Sequence, residues 1–168
     1  MKYLYIILTI LFASCSKNDS TQQNLVNMNI SVAVDISFIN NQNEDLLNCN
    51  TLGCYNYENF ELSYLVDGNI VSVYDYDPQL NNGMMLIKET NPYVLRCFTY
   101  SNENDGIVSD TNGIVTGISF AYLKLNDEEI DTLKTEWVFI KNKSFINTKV
   151  WYNDDLYPLD GKPINVIK

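Results

Sequence analysis

Residues 28–38 alternate without a break. Met28, Ile30, Val32, Val34, Ile36 and Phe38 are apolar, and Asn29, Ser31, Ala33, Asp35 and Ser37, small or polar, lie between them. Successive side chains of a strand point to opposite faces, so this period of two predicts a strand with one buried face. A helix would scatter the same apolar residues around its circumference. Ile39 breaks the alternation and predicts the end of the strand or a bulge. Residues 40–59 are Asn-rich and irregular. Phe60, Leu62, Tyr64 and Val66 then alternate again, and Asp67-Gly68 separates them from a second β-type run over 69–74. Asp-Gly between two such runs predicts a two-residue hairpin of type I′.

The remaining pattern is read in the same way. Residues 75–83, with Pro78, Asn81, Asn82 and Gly83, predict a loop, and 84–88 a short strand. A strand over 93–100 starts after Asn91-Pro92, because the residue before proline is driven to extended geometry. Residues 101–113 read as a polar loop. A long strand over 114–125 follows, with Gly117 at a bulge. The chain turns at 126–130 and returns over 132–140. Residues 146–152 and 156–159 form a further pair, turning at Asn153-Asp154-Asp155, and 165–168 add an edge. Eight or so strands spaced by turn clusters predict an all-β fold. The expected form is a single β-sandwich of immunoglobulin-like or transthyretin-like shape, with a barrel as the second architecture.

One segment belongs to neither strand nor turn. Lys2 is basic, residues 4–12 are almost wholly apolar, and Ala13-Ser14-Cys15 closes the run. A spanning helix needs about twenty apolar residues, and this run has about nine. It reads as a lipoprotein signal peptide, residues 1–14, with Cys15 as the acylated first residue of the mature chain. Residues 15–25 are polar and aperiodic and predict a flexible tether. Residues 26–168 are the β-domain. The expected address is the outer membrane, lipid-anchored through Cys15 and facing the periplasm or the surface.

Composition narrows the chemistry. The chain has 11 basic and 21 acidic residues and no histidine. Without the signal, 10 basic residues face the same 21 acidic ones. Nucleic acid is thereby excluded as a partner, since its phosphates demand a basic patch. The absence of histidine removes Ser-His-Asp and Cys-His catalysis, histidine-ligated metals and histidine proton relays together. Export places the remaining cysteines in an oxidising compartment. Cys49 and Cys54 flank Asn50-Thr51-Leu52-Gly53, and a disulfide across that short loop is expected, contributing about 2 kcal/mol by the loop-length relation. A zinc site using Cys97 and a carboxylate is the alternative. Cys97 lies in an apolar strand pattern and is expected as a small buried residue.

Three constellations invite a functional reading. Carboxylates gather at Asp75 and Asp77, at Glu103, Asp105 and Asp110, and at Asp127, Glu128, Glu129 and Asp131. They fall in predicted turns, where such residues serve backbone geometry, so no catalytic pair is assigned. The oxygen-rich segment 102–112 could interest Ca²⁺ but fails the EF-hand spacing, and no cofactor is assigned. Tyr74, Tyr76, Trp151, Tyr152 and Tyr157 could form an aromatic platform for sugar rings, although core packing explains them equally.

Asp45-Leu46-Leu47-Asn48, the segment from Leu125-Asn126-Asp127 to Asp131-Thr132-Leu133-Lys134, and Thr148-Lys149-Val150-Trp151-Tyr152-Asn153 resemble a family of Bacteroidetes-type lipoproteins of unknown function. The short polar-acidic stretch after Cys15 is similar to the surface-export tether of such proteins. The resemblance implies a small tethered β-domain and carries over no functional residue except Cys15. Together these readings point to a non-enzymatic binding or structural module of the cell envelope. The alternative is a glycan-binding accessory of an outer-membrane nutrient-uptake system.

Overall fold

The computed structural model describes residues 29–73, 82–100 and 106–168. Cys15, the residues read as signal and tether, and residues up to Met28 lie outside the described residues, as do Tyr74, Asp75, Tyr76, Asp77, Glu103 and Asp105. What is described is an all-β sandwich of two sheets.

The alternating stretch becomes two strands, β1 (Asn29–Ser31) and β2 (Ala33–Ile39). They belong to different sheets. Val32 is the crossing point, and its carbonyl accepts hydrogen bonds from Thr99 N at 3.3 Å and Thr99 Oγ1 at 3.0 Å. Alternation records which way side chains point. It carries no information about which neighbour the backbone edge will pair with. Val34, Ile36 and Phe38 are buried as the pattern predicts, whereas Ile30 is 60% exposed. The pattern also ends where predicted, at Ile39.

The second run forms β3 (Glu61–Val66), paired through Asp67-Gly68 with β4 (Asn69–Ser72). Asp67 and Gly68 have φ of 49° and 79°, the signature of a type I′ turn. Phe60, Leu62 and Tyr64 are buried and Val66 packs half-buried against them, so the register follows the turn. β5 (Met84–Ile87) and β6 (Val94–Phe98) form the next pair.

A strand, β7 (Ile107–Thr111), occupies part of the segment read as a polar loop, and pairs with β8 (Ile114–Asn126). Asn112-Gly113, with φ of 54° and 77°, closes it as a second two-residue hairpin. All of β7 is exposed, so it lacks the one-sided apolar pattern by which strands are recognised. The Asn-Gly dipeptide between Ile107-Val108 and Ile114-Val115 was the available signal. The bulge expected at Gly117 falls on the opposite strand. Ile107 pairs with Gly117 and Ser109 with Thr116, leaving Val108 as the extra residue.

β9 (Glu129–Ile140), β10 (Ser144–Tyr152), β11 (Asp155–Tyr157) and β12 (Ile164–Ile167) complete the order. The large sheet runs β1-β10-β9-β8-β3-β4, with β11 also on β10 and β7 also on β8. The small sheet runs β12-β2-β6-β5. Pairing is antiparallel except for β1 with β10 and β12 with β2. Ile36, Phe38, Leu95 and Cys97 of the small sheet face Leu62, Leu123, Leu133, Val150 and Tyr152 of the large one in a single core. Tyr64 Oη crosses between the sheets and donates to Phe98 O at 2.8 Å.

Candidate functional site

The split of the alternating stretch leaves an opening. On one side β2 pairs with β6 from Ala33 to Ile36. On the other it pairs with β12 only from Ile36 to Ile39. Ile39 O accepts from Lys168 N on that second side. Successive residues of a strand direct their backbone groups to opposite edges, so Ala33 and Asp35 direct theirs the same way as Ile39. Among the described residues, the Ile36–Ile164 pairing brings β12 as far as the Asp35 carbonyl, and no strand reaches Ala33 on that edge. A groove of about 490 Å³ lies there. Ile30 and Phe98 are among its apolar walls, and Pro158, Leu159 and Lys162 of the β11–β12 connection stand across from β2.

The groove also contains a charged pair. Arg96, the one arginine of the chain, donates from Nε to Asp35 Oδ1 and from Nη2 to Asp35 Oδ2, both at 2.8 Å. This bidentate pair joins opposed residues of β2 and β6. The Asp35 hydrogen bonds raise the Arg96 pKa further, against a smaller opposing effect of burial. Both side chains remain about one-third exposed. A lone arginine inside an otherwise apolar strand, opposite an acid on the polar face of another, was a signal the sequence offered.

A second surface lies on the outer face of the large sheet. Ala121, Leu133 and Val150 point inward, so their neighbours Phe120, Lys134 and Trp151 point outward. Lys134 is the cross-strand partner of both Phe120 and Trp151, and Leu156 sits opposite Trp151. Lys134 Nζ lies 4.5 Å from the Trp151 ring centroid and 5.9 Å from that of Phe120. Tyr122, half-buried, continues the face beside Thr132. Of the aromatic residues weighed from sequence as a platform, those described here divide between this face and the core. Trp151 belongs to the face, Tyr152 is buried in the core, and Tyr157 packs against the core. Phe120, Tyr122 and Lys134 complete the face.

The acidic residues divide by strand face. Asp127 is almost fully exposed in its turn and pairs with Lys124 at 3.0 Å. Glu129 and Asp131 turn inward to Lys168, at 2.5 and 2.7 Å from its Nζ. Tyr152 Oη and Asn153 Nδ2 also donate to Asp131, and Tyr55 Oη donates to Glu129 at 2.9 Å. Burial lowers the Lys168 pKa, but the hydrogen bonds that Lys168 donates to Asp131 and Glu129 outweigh it and the net shift is upward. Burial, then the bonded carboxylates, push the Tyr152 and Tyr55 hydroxyls well above the usual tyrosine range. Each carboxylate here is committed to partners within the fold, and none of these groups lines the groove. The network locks β9, β10, the loop before β3 and Lys168 together.

Asp110 lies on the exposed β7. Among the described residues no three acidic or cysteine side chains gather as a metal site. Cys97 is buried in the core, as expected. The expected Cys49–Cys54 bridge is absent from this structure, where both are free thiols. They are nevertheless neighbours, and the hydrogen bond with Cys49 raises the pKa of Cys54. Among the described residues, no helix is long and apolar enough to cross a membrane.

The chain matches no protein-family model, no curated protein and no solved structure.

Proposed function

We propose that the chain is a lipid-anchored, non-catalytic module of the bacterial cell envelope, akin to the Bacteroidetes-type lipoproteins. In this reading Cys15 carries the lipid, and the domain holds an extended polypeptide segment of an envelope partner along the free edge of β2. The observation that carries the binding role is the β2 edge that β12 leaves uncovered at Ala33, beside a groove with apolar walls and the Asp35–Arg96 pair. Alternating N–H and C=O groups at strand spacing are matched by another polypeptide backbone, and side chains of an added strand would enter the groove. Main-chain bonds would give affinity, and Ile30, Phe98 and Leu159 would select apolar side chains.

The test places a photo-crosslinking side chain at Leu159 in the membrane-anchored protein in cells. Adducts to a polypeptide are expected from Leu159 and none from Leu52. Ala33→Pro, which removes one edge N–H while sparing the β6 ladder, should abolish them at unchanged melting temperature. Adducts that survive Ala33→Pro, or no adduct, would refute the groove as the site. Anchoring is tested separately with labelled palmitate. Incorporation is expected in the full chain and not in Cys15→Ala, and equal labelling of the two would end that part.

A second reading rests on the Phe120–Lys134–Trp151 row. Aromatic faces with polar neighbours suit sugar rings, so this face is assigned to the glycan-binding alternative. Trp151→Ala abolishing retention on a polysaccharide column, with Ala33→Pro neutral, would favour it over the groove.

A further inference from the structure

The loop between β2 and β3 is held at its base from several sides. Leu46 N donates to Phe38 O at 2.9 Å, and Tyr55 N donates to Leu46 O at 2.8 Å. Asp45 accepts Leu47 N at 2.9 Å on one oxygen and Tyr93 N at 2.7 Å on the other. The Tyr55 ring packs edge-on against Phe38 and Phe60, and its hydroxyl reaches Glu129. Above that base the chain turns twice. Thr51 N donates to Asn48 O at 2.8 Å and Cys54 N to Thr51 O at 3.2 Å. Gly53, at φ 78°, supplies the left-handed residue between them. These turns fold the segment back on itself, so that the Cys49 thiol donates to the carbonyl of Tyr55, the residue after Cys54, at 3.9 Å. Cys49 is exposed and Cys54 half-exposed, and Leu52 at the tip is 95% exposed.

We infer that Cys49 and Cys54 are a dithiol site for thiol–disulfide exchange, with Cys49 as the attacking sulfur and Cys54 as the resolving one. The oxidant is a disulfide RSSR carried by a partner. The Cys49 thiolate attacks one sulfur of RSSR, forming a Cys49–S–S–R bond and releasing RS⁻, which takes up a proton. The Cys54 thiolate then attacks the Cys49 sulfur and expels the second RS⁻. The pair loses two protons and two electrons, and RSSR is reduced to two RSH. Exposure sets the order, because Cys49 is the more accessible sulfur. The product clamps the loop whose far end seats Tyr55 on the core and on Glu129. The site is independent of the β2 groove.

The probe is oxidised glutathione, applied to the folded full chain carrying Cys15→Ser. The expected product is lighter by two hydrogens, carries no glutathione and maps to a Cys49–Cys54 bridge. Cys97, buried in the core, stays unmodified and reports that the fold is intact. Cys54→Ser should retain one glutathione on Cys49, and Cys49→Ser should react more slowly. Closure should be at least about tenfold faster in the folded chain than in urea, because the fold holds the sulfurs together. Persistent glutathione on both cysteines, no reaction at either, or equal closure rates folded and unfolded would each overturn the assignment.

Discussion

Adding one methyl group at Gly117 should destabilise the domain. A Cβ built there would lie 2.1 Å from Trp137 Cζ2, 2.5 Å from Cε2 and 2.7 Å from Cη2. Ordinary carbon contacts are about 3.5–4.0 Å, so the ring would have to move by more than an ångström. It has little room. Trp137 is 1% exposed, its Nε1 donates to Ser119 Oγ at 2.9 Å, and Tyr100 and Phe145 hold it edge-on at 5.4 and 5.6 Å. Overpacking a filled core costs about 1–3 kcal/mol, and breaking the buried indole hydrogen bond adds about 1 kcal/mol. Gly117→Ala is therefore expected to cost about 2–4 kcal/mol. Propensity alone predicts the opposite sign, a gain of about 0.5–1 kcal/mol from replacing a strand glycine. Urea denaturation followed by tryptophan emission measures the change. Trp137→Phe removes the three crowded atoms, so in that background Gly117→Ala should be close to neutral. That difference is a coupling of neighbouring residues in the double-mutant sense. A Gly117→Ala protein of unchanged stability, or equal costs in the two backgrounds, would refute the packing argument.

Two glycines test the hairpins together. Sequence ranks Gly68→Val as costlier than Gly106→Val, because the second glycine falls in a polar loop, but the structure reverses the order. A Cβ at Gly68 meets open space and suffers only its φ of 79°, whereas at Gly106, φ 65°, it would lie 1.9 Å from Ile118 O. Gly68→Val should cost about 1–3 kcal/mol and Gly106→Val more, by chemical denaturation; the reverse order would show that the Gly106–Ile118 approach is misplaced. Lys168→Met should cost about 3 kcal/mol by leaving buried Asp131 without its cation, and a change within error would show that Tyr152 and Asn153 alone satisfy it. Stability should also fall as pH rises past about 10, where unfolded Lys and Tyr lose protons that folded Lys168, Tyr55 and Tyr152 keep. These upward-shifted groups contribute in full below that pH, and a melting temperature flat from pH 9 to 11 would contradict their placement.

The sequence by itself determined the class of fold and much of its local geometry. Period-two alternation buried Val34, Ile36 and Phe38 because side-chain direction in a strand is a local property. Asp67-Gly68 turned the chain as read because positive φ at both positions is a property of those two residues. The histidine-free composition is an equally local fact, and it removes histidine chemistry. Pairing was decided only in three dimensions. Residues 29–31 and 33–39 share one alternation yet joined different sheets, since backbone edges bond to whichever strand the remaining chain brings alongside. That choice opened the β2 edge and made the groove. The aromatic face was likewise regrouped, because Trp151 and Tyr152 are adjacent in sequence and point to opposite sides of one sheet. Gly117 and Gly106 looked interchangeable with other turn or bulge glycines. Their constraint comes from Trp137 and from the Ile118 carbonyl, atoms that only the packed sandwich sets against them.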